Sequence, residues 1–205
     1  MAARLELGTK SIERCCEMSS YLFNGWRLPH SLLFHALVIA MVSQNSAASE
    51  LSLGAQLPAL QGQYLSGRKA TLPIDASGRV ALLLFGFSYQ SRFPVEEWER
   101  HFRADYGSNP QVTFYEIPMI GGMARMGKWF IDSGQRRGTP QADYEHVITV
   151  YGGTDSWKAR FGVLDQDTAY LVLLDQKGNV AWLYSGPFDE AAYKGLAEQL
   201  RKLLP

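Results

Sequence analysis

The apolar run Val80-Ala-Leu-Leu-Leu-Phe85, closed by Gly86, constrains this chain more than any other segment. A short continuous apolar stretch between Gly78 and Gly86 reads as a strand buried on both faces. Such a strand belongs in an α/β fold, and the segments that follow alternate accordingly. Pro94 falls in the first turn of a helix, with Glu96 and Glu97 near its positive end. Val95, Trp98, Phe102 and Tyr106 keep helical spacing on one face of it. Val112–Ile117 reads as the next strand. Gly121 and Gly122 lead into a helix through Met126, Trp129 and Phe130, and a loop with Gly134, Gly138 and Pro140 precedes a strand over His146–Tyr151. A short helix forms around Trp157. Tyr170–Leu174 and Val180–Tyr184, joined by the turn Asp175-Gln-Lys-Gly178, make a hairpin. The closing helix carries Asp189 and Glu190 early, Arg201 and Lys202 late, and Tyr193, Leu196, Leu200 and Leu203 on one stripe.

Charge removes one class of function. Twenty basic residues balance twenty acidic ones in the 205, which argues against a nucleic-acid binder, since that role favours a basic excess or stripe. Cys15 and Cys16 are the only cysteines, and an adjacent pair supplies neither a zinc-ligand spacing nor a disulfide framework.

The N-terminal segment reads as targeting. Arg27 and His30 precede the apolar stretch 28–42, and Ser46 and Ala48 follow as small residues at the exit, the order of a secretory signal peptide. Glu6, Glu13 and Glu17 do not suit a basic n-region, so Met18 is a candidate start. An uncleaved membrane anchor is the competing reading, although the stretch is shorter than the ~20 residues that span a bilayer. We therefore divide the chain into a targeting segment, 1–48, and a globular domain, 49–205, in an exported, periplasmic or envelope-associated location.

Leu53-Gly-Ala-Gln-Leu-Pro58, Gly67-Arg-Lys-Ala-Thr-Leu72 and Gly78–Phe85 resemble the leader and first core strand of extracytoplasmic thioredoxin-like and peroxiredoxin-like domains. Thr168–Asp175 with Gly178 resembles their later strand and turn. The resemblance implies a thioredoxin-like three-layer sandwich around a central mixed β-sheet. In those families a redox CxxC or a peroxidatic cysteine follows the first strand and a cis-proline precedes the later one. Here Ser88-Tyr-Gln-Ser91 stands at the CxxC spacing and Ala169 at the proline.

A narrower likeness accompanies the missing cysteines. Leu84–Ser91 through Trp98, and Tyr170–Trp182 with Gly186, resemble the mitochondrial ATPase complex assembly factor of the "ATP-ten" family, with Ala181 in place of that family's basic residue. The resemblance implies a non-redox assembly or chaperone-like role for a membrane complex such as the membrane sector of ATP synthase, and a mitochondrial inner-membrane location in a eukaryotic source.

Thiol redox needs a thiolate, and serine supplies none. Gly86-Phe-Ser88-Tyr-Gln90 partly matches the strand–serine–helix elbow of hydrolases, and His146 follows in the right order. The simpler reading is that Ser88 and Ser91 satisfy backbone amides at a helix start. His101 and His146 are the only histidines after Ala48 and have no metal-ligand spacing. No catalytic residue, metal or cofactor is assigned. The expected binding residues are Ser88, Tyr89, Gln90, Ser91 and Arg92 in one loop, with Met123, Arg125, Met126, Lys128 and Trp129 from the segment after the next strand. They suit a protein client, such as a membrane-complex subunit, or contact with a membrane surface. A thioredoxin-fold enzyme using a non-cysteine site, and a peptide or small-molecule binding module, are the alternatives.

Overall fold

The computed structural model describes residues 50–121 and 128–204. Its elements are β1 (Leu60–Tyr64), β2 (Lys69–Leu72), β3 (Val80–Gly86), α1 (Arg92–Tyr106), β4 (Val112–Pro118), α2 (Lys128–Gly138), β5 (Ile148–Thr149), α3 (Thr154–Phe161), β6 (Ala169–Leu174), β7 (Val180–Gly186) and α4 (Glu190–Leu203). Four strands pair in the order β4-β3-β6-β7, and three in the order β2-β1-β5. β3 and β4 run parallel from Val80–Val112 to Gly86–Pro118, whereas β6 lies antiparallel to β3 and turns back into β7. Single parallel bridges at Glu116–Val147 and Met119–Val150 connect β5 to β4.

Every residue of the run 80–85 is fully buried, as a strand apolar on both faces requires. Strand alternation divides it between two cores. Val80, Leu82 and Leu84 pack with Trp98 and Phe102 of α1 and Leu196 and Leu200 of α4. Ala81, Leu83 and Phe85 pack with Trp157 of α3 and with Leu60, Tyr64 and Leu72 of the β1–β2 hairpin. Helices thus cover both faces of a mixed sheet, in three layers. Asp189 caps α4 by accepting from the Ala192 backbone N–H at 2.8 Å.

Three expectations are corrected and two strands are added. α2, described from Lys128, continues past Gly134 to Gly138, where the sequence reads as a loop. Glycine in a helix costs about 1 kcal/mol against alanine, which weakens the signal without forbidding the helix. β5 holds only Ile148–Thr149 of the expected 146–151 strand, its neighbours reaching β4 as bridges. The first turn of α1 has no acidic residue, because the helix starts at Arg92 and leaves Glu96 and Glu97 in its second turn. β1 and β2 are strands the sequence reading did not assign: Lys69-Ala-Thr-Leu72 alternates over only four residues, and β1 is polar at its centre. The polar centre of β1, Gln61-Gly-Gln63, conceals a close approach: a Cβ at Gly62 would lie 2.5 Å from Ile148 Cγ2.

The expected targeting segment, residues 1–48, lies outside the described residues. Among the described residues no helix is long and apolar enough to cross a membrane.

Candidate functional site

Two parallel strands, β3 and β4, end side by side at Gly86 and Pro118, and the chain leaving each one borders the same cavity. After β3, residues 87–91 turn directly into α1. The turn is held by its two serines. Ser88 Oγ accepts from the backbone N–H groups of Gln90 and Ser91, both at 3.0 Å, and donates to Asp167 Oδ1 at 2.6 Å. Ser91, fully buried, accepts from the Ser88 N–H at 3.2 Å and donates to the Ser88 carbonyl at 2.8 Å. Gly86 makes room for this arrangement, since a Cβ there would lie 2.7 Å from Ser91 Oγ. Both hydroxyls therefore act on backbone amides at the helix start, as serine commonly does.

The hydrolase-like order of Ser88, an acid and His146 does not assemble. His146 Nδ1 lies 3.0 Å from the Phe114 carbonyl, and its ring stacks on Phe114 at 4.4 Å between centroids. The carboxylate at Ser88 is that of Asp167, a residue the sequence reading missed. A carboxylate alone orients a hydroxyl but leaves it a poor nucleophile.

Tyr89 is 70% exposed and Phe93 52% exposed. The Arg92 guanidinium lies over both rings, 4.4 Å and 4.5 Å from their centroids, so it links the two rings into one platform. Arg92 is the first residue of α1 and not a loop residue as expected. Gln90 is exposed beside this platform and is tied back through its N–H to Ser88.

The cavity measures about 740 Å³. Its apolar wall includes Leu84, Val95, Ile117 and Met119, and its polar groups include Ser88, Arg92, Glu96, Glu116 and Gln135. Glu116 is the exception within β4, Val112-Thr-Phe-Tyr-Glu-Ile-Pro118, whose other residues through Ile117 are buried and, Thr113 apart, apolar or aromatic. Alternation places it on the same face as Phe114, beneath α1. Burial pushes its carboxyl up to about 7, Glu99, Glu96 and Asp143 add to the rise, and Arg103 opposes it. Arg103 is already engaged by Glu99 and by Asp143, the latter at 2.7 Å. Among the described residues, the Glu116 carboxylate has no hydrogen-bond or ion-pair partner. A charged residue inside an otherwise apolar strand was the signal for it, and it was passed over.

Ser88, Tyr89, Ser91 and Arg92 are thus brought together at the cavity. Met123, Arg125 and Met126 lie outside the described residues, as do the side chains of Lys128 and Trp129. Among the described residues no group of three or more His, Cys, Asp or Glu could hold a metal ion.

Against known proteins, no family model and no curated protein sequence matches the chain. Solved structures do. A candidate protein disulfide isomerase from Bacteroides thetaiotaomicron superposes with a TM-score of 0.53 at 18% identity, covering 75% of this chain and 91% of that one. A candidate thiol:disulfide interchange protein DsbE from Chlorobium tepidum gives 0.52 at 19%, covering 76% and 100%. The C-terminal domain of a candidate thiol-disulfide oxidoreductase from Bacteroides thetaiotaomicron gives 0.52 at 20%, covering 76% and 99%. The fold of this chain is thioredoxin-like. At such identities the likeness extends to the fold alone, and fold does not carry function.

Proposed function

We propose that this chain is a thioredoxin-fold binding protein without thiol chemistry, an assembly or chaperone-like factor that holds a segment of a protein client where β3 and β4 end. One observation carries the reading. Ser88 and Ser91 stand at the CxxC spacing, and both hydroxyls are occupied in organising the start of α1 beside an open, largely apolar cavity. Tyr89, exposed in the cavity lining and linked through Arg92 to the exposed Phe93 ring, supplies the large, low-entropy contact surface that dominates protein interfaces. The end of parallel strands is also where open α/β sheets gather their ligands. The finer reading, a role like that of the "ATP-ten" assembly factor in an envelope or inner-membrane complex, rests on the sequence resemblance and on the absence of cysteine after Cys16. The enzyme alternative is weaker, because among the described residues Ser88 meets the Asp167 carboxylate and no histidine, His146 being held at Phe114.

Two assays on the full chain separate these readings. The binding reading expects no dithiol-dependent reduction of insulin disulfides and no peroxide consumption above buffer, together with capture of a defined membrane-complex subunit from solubilised membranes. Turnover that survives a Cys15→Ser, Cys16→Ser variant but is lost in Ser88→Ala would establish a serine-based enzyme instead.

A further inference from the structure

The cavity wall contributed by Glu116 has a chemistry that the serine turn does not explain. Its volume falls within the roughly 300–1,000 Å³ of ligand clefts. Val95 of α1 and Val147, which bridges to Glu116, give it an apolar lining on the Glu116 face, and Glu116 places there a half-buried carboxylate with no partner among the described residues. A half-buried carboxylate whose nearby cation, Arg103, is held by Glu99 and Asp143 is costly, and an arriving cation relieves the cost.

The charges around it select the sign of the ligand. α1 turns Glu96, Glu99 and Arg103 toward this region, Asp143 approaches from the turn before β5, and His146 is held on Phe114. Arg103 sits between Glu99 and Asp143, and Arg92 lies across Tyr89 and Phe93. Neither cation meets Glu116. Among these described groups the carboxylates of Glu96, Glu99, Glu116 and Asp143 outnumber Arg92 and Arg103, a balance that disfavours an anion. A metal ion would want several ligands, and the described residues offer no such group. An organic cation on an aliphatic stem matches both the carboxylate and the apolar wall, because such side chains keep a buried stem and a charged tip.

Building on the client-binding reading, we propose that this cavity receives a basic side chain, arginine or lysine, from an extended segment of the client. Its stem lies along Val95 and Val147 and its cationic head pairs with Glu116. The Tyr89–Phe93 platform at the mouth then covers the residues flanking it. Glu116 would set specificity and the aromatic platform would supply general affinity.

The test titrates the full chain at pH 8 with an acetylated leucyl-arginyl-leucine amide and with its citrulline analogue, which keeps the shape and removes the charge. The arginine peptide is expected to bind about tenfold tighter or more, the scale of one charge-assisted hydrogen bond. In Glu116→Gln, checked to melt no lower than the parent, the preference should fall below about twofold, the loss expected when the charged acceptor is gone. Equal binding of the two peptides by the parent, an unchanged preference in Glu116→Gln, or no binding of the arginine peptide overturns the proposal. Butylguanidinium binding as tightly as the peptide also overturns it, because the cavity would then take a free cation and not a client side chain. The broader reading falls separately. If client capture survives while both peptides bind equally, only the cation assignment is lost; if capture fails, client binding itself is lost.

Discussion

Two walls of one cavity treat their polar groups in opposite ways. On the α1 wall the hydroxyls of Ser88 and Ser91 have donors and acceptors on every side. On the β4 wall the Glu116 carboxylate has burial and like charges around it and no partner among the described residues. The difference teaches where to look for function in a fold that does not itself name one. A satisfied polar group is accounted for by the fold, whereas a buried unsatisfied one asks for something outside it.

The largest expected effect falls on the unsatisfied wall. The Glu116 carboxyl is held near 7 in the folded chain against an ordinary 4.5, so between those values the folded state binds the proton that the unfolded state has released. Its contribution to stability is fully present below about pH 4.5 and is lost as pH rises through about 7. At about 1.4 kcal/mol per pH unit the span amounts to about 3 kcal/mol. Glu116→Gln should therefore match the parent near pH 4 and exceed it by about 3 kcal/mol at pH 8, as read by urea denaturation at each pH. A pH-independent difference would mean that Glu116 is solvated or paired.

On the satisfied wall the effect is smaller and opposite in sign. Ser88→Ala removes the acceptor for two amide hydrogens at the helix start and strips Asp167 of its partner. A loss of about 1 kcal/mol is expected, the usual cost of a missing cap, with no sharp pH dependence above pH 5. A neutral Ser88→Ala would show that water replaces the hydroxyl and that the turn does not need it.

The smallest stability effect belongs to the mouth. Tyr89 is largely exposed, so Tyr89→Ala should shift stability by less than about 0.5 kcal/mol. In the client-binding reading the same change weakens capture by about 2 kcal/mol, roughly thirtyfold, the scale of an aromatic hot spot. A variant that melts early and binds normally would make Tyr89 structural.

The contrast also explains what the sequence could and could not reveal. β3 was legible because a run apolar at every position has few alternatives, and the β6–β7 hairpin because Gly178 marks its turn. α1 and α4 followed from apolar spacing, which Trp98, Phe102, Leu196 and Leu200 fulfil in one core. β1 escaped because its interior is polar, and the reason for Gly62 is a strand 86 residues away, at Ile148. Half of the site was legible in the same local way, since Ser88 and Ser91 act within one turn. The other half is long-range. Asp167 reaches Ser88 across 79 positions, and the isolation of Glu116 depends on α1 and the turn before β5 holding Arg103 elsewhere. Local pattern names the polar residues, but only the fold decides which of them are left without a partner.

Photo-crosslinking from position 89 of the full chain in cells of its source tests client binding most directly. The account predicts a discrete adduct with one protein partner, formed from position 89 and absent when the crosslinker is placed at position 177 in the β6–β7 turn. Adducts of equal yield from both positions, or none from position 89 while position 177 crosslinks, would contradict the assignment of the client surface to the end of β3 and β4.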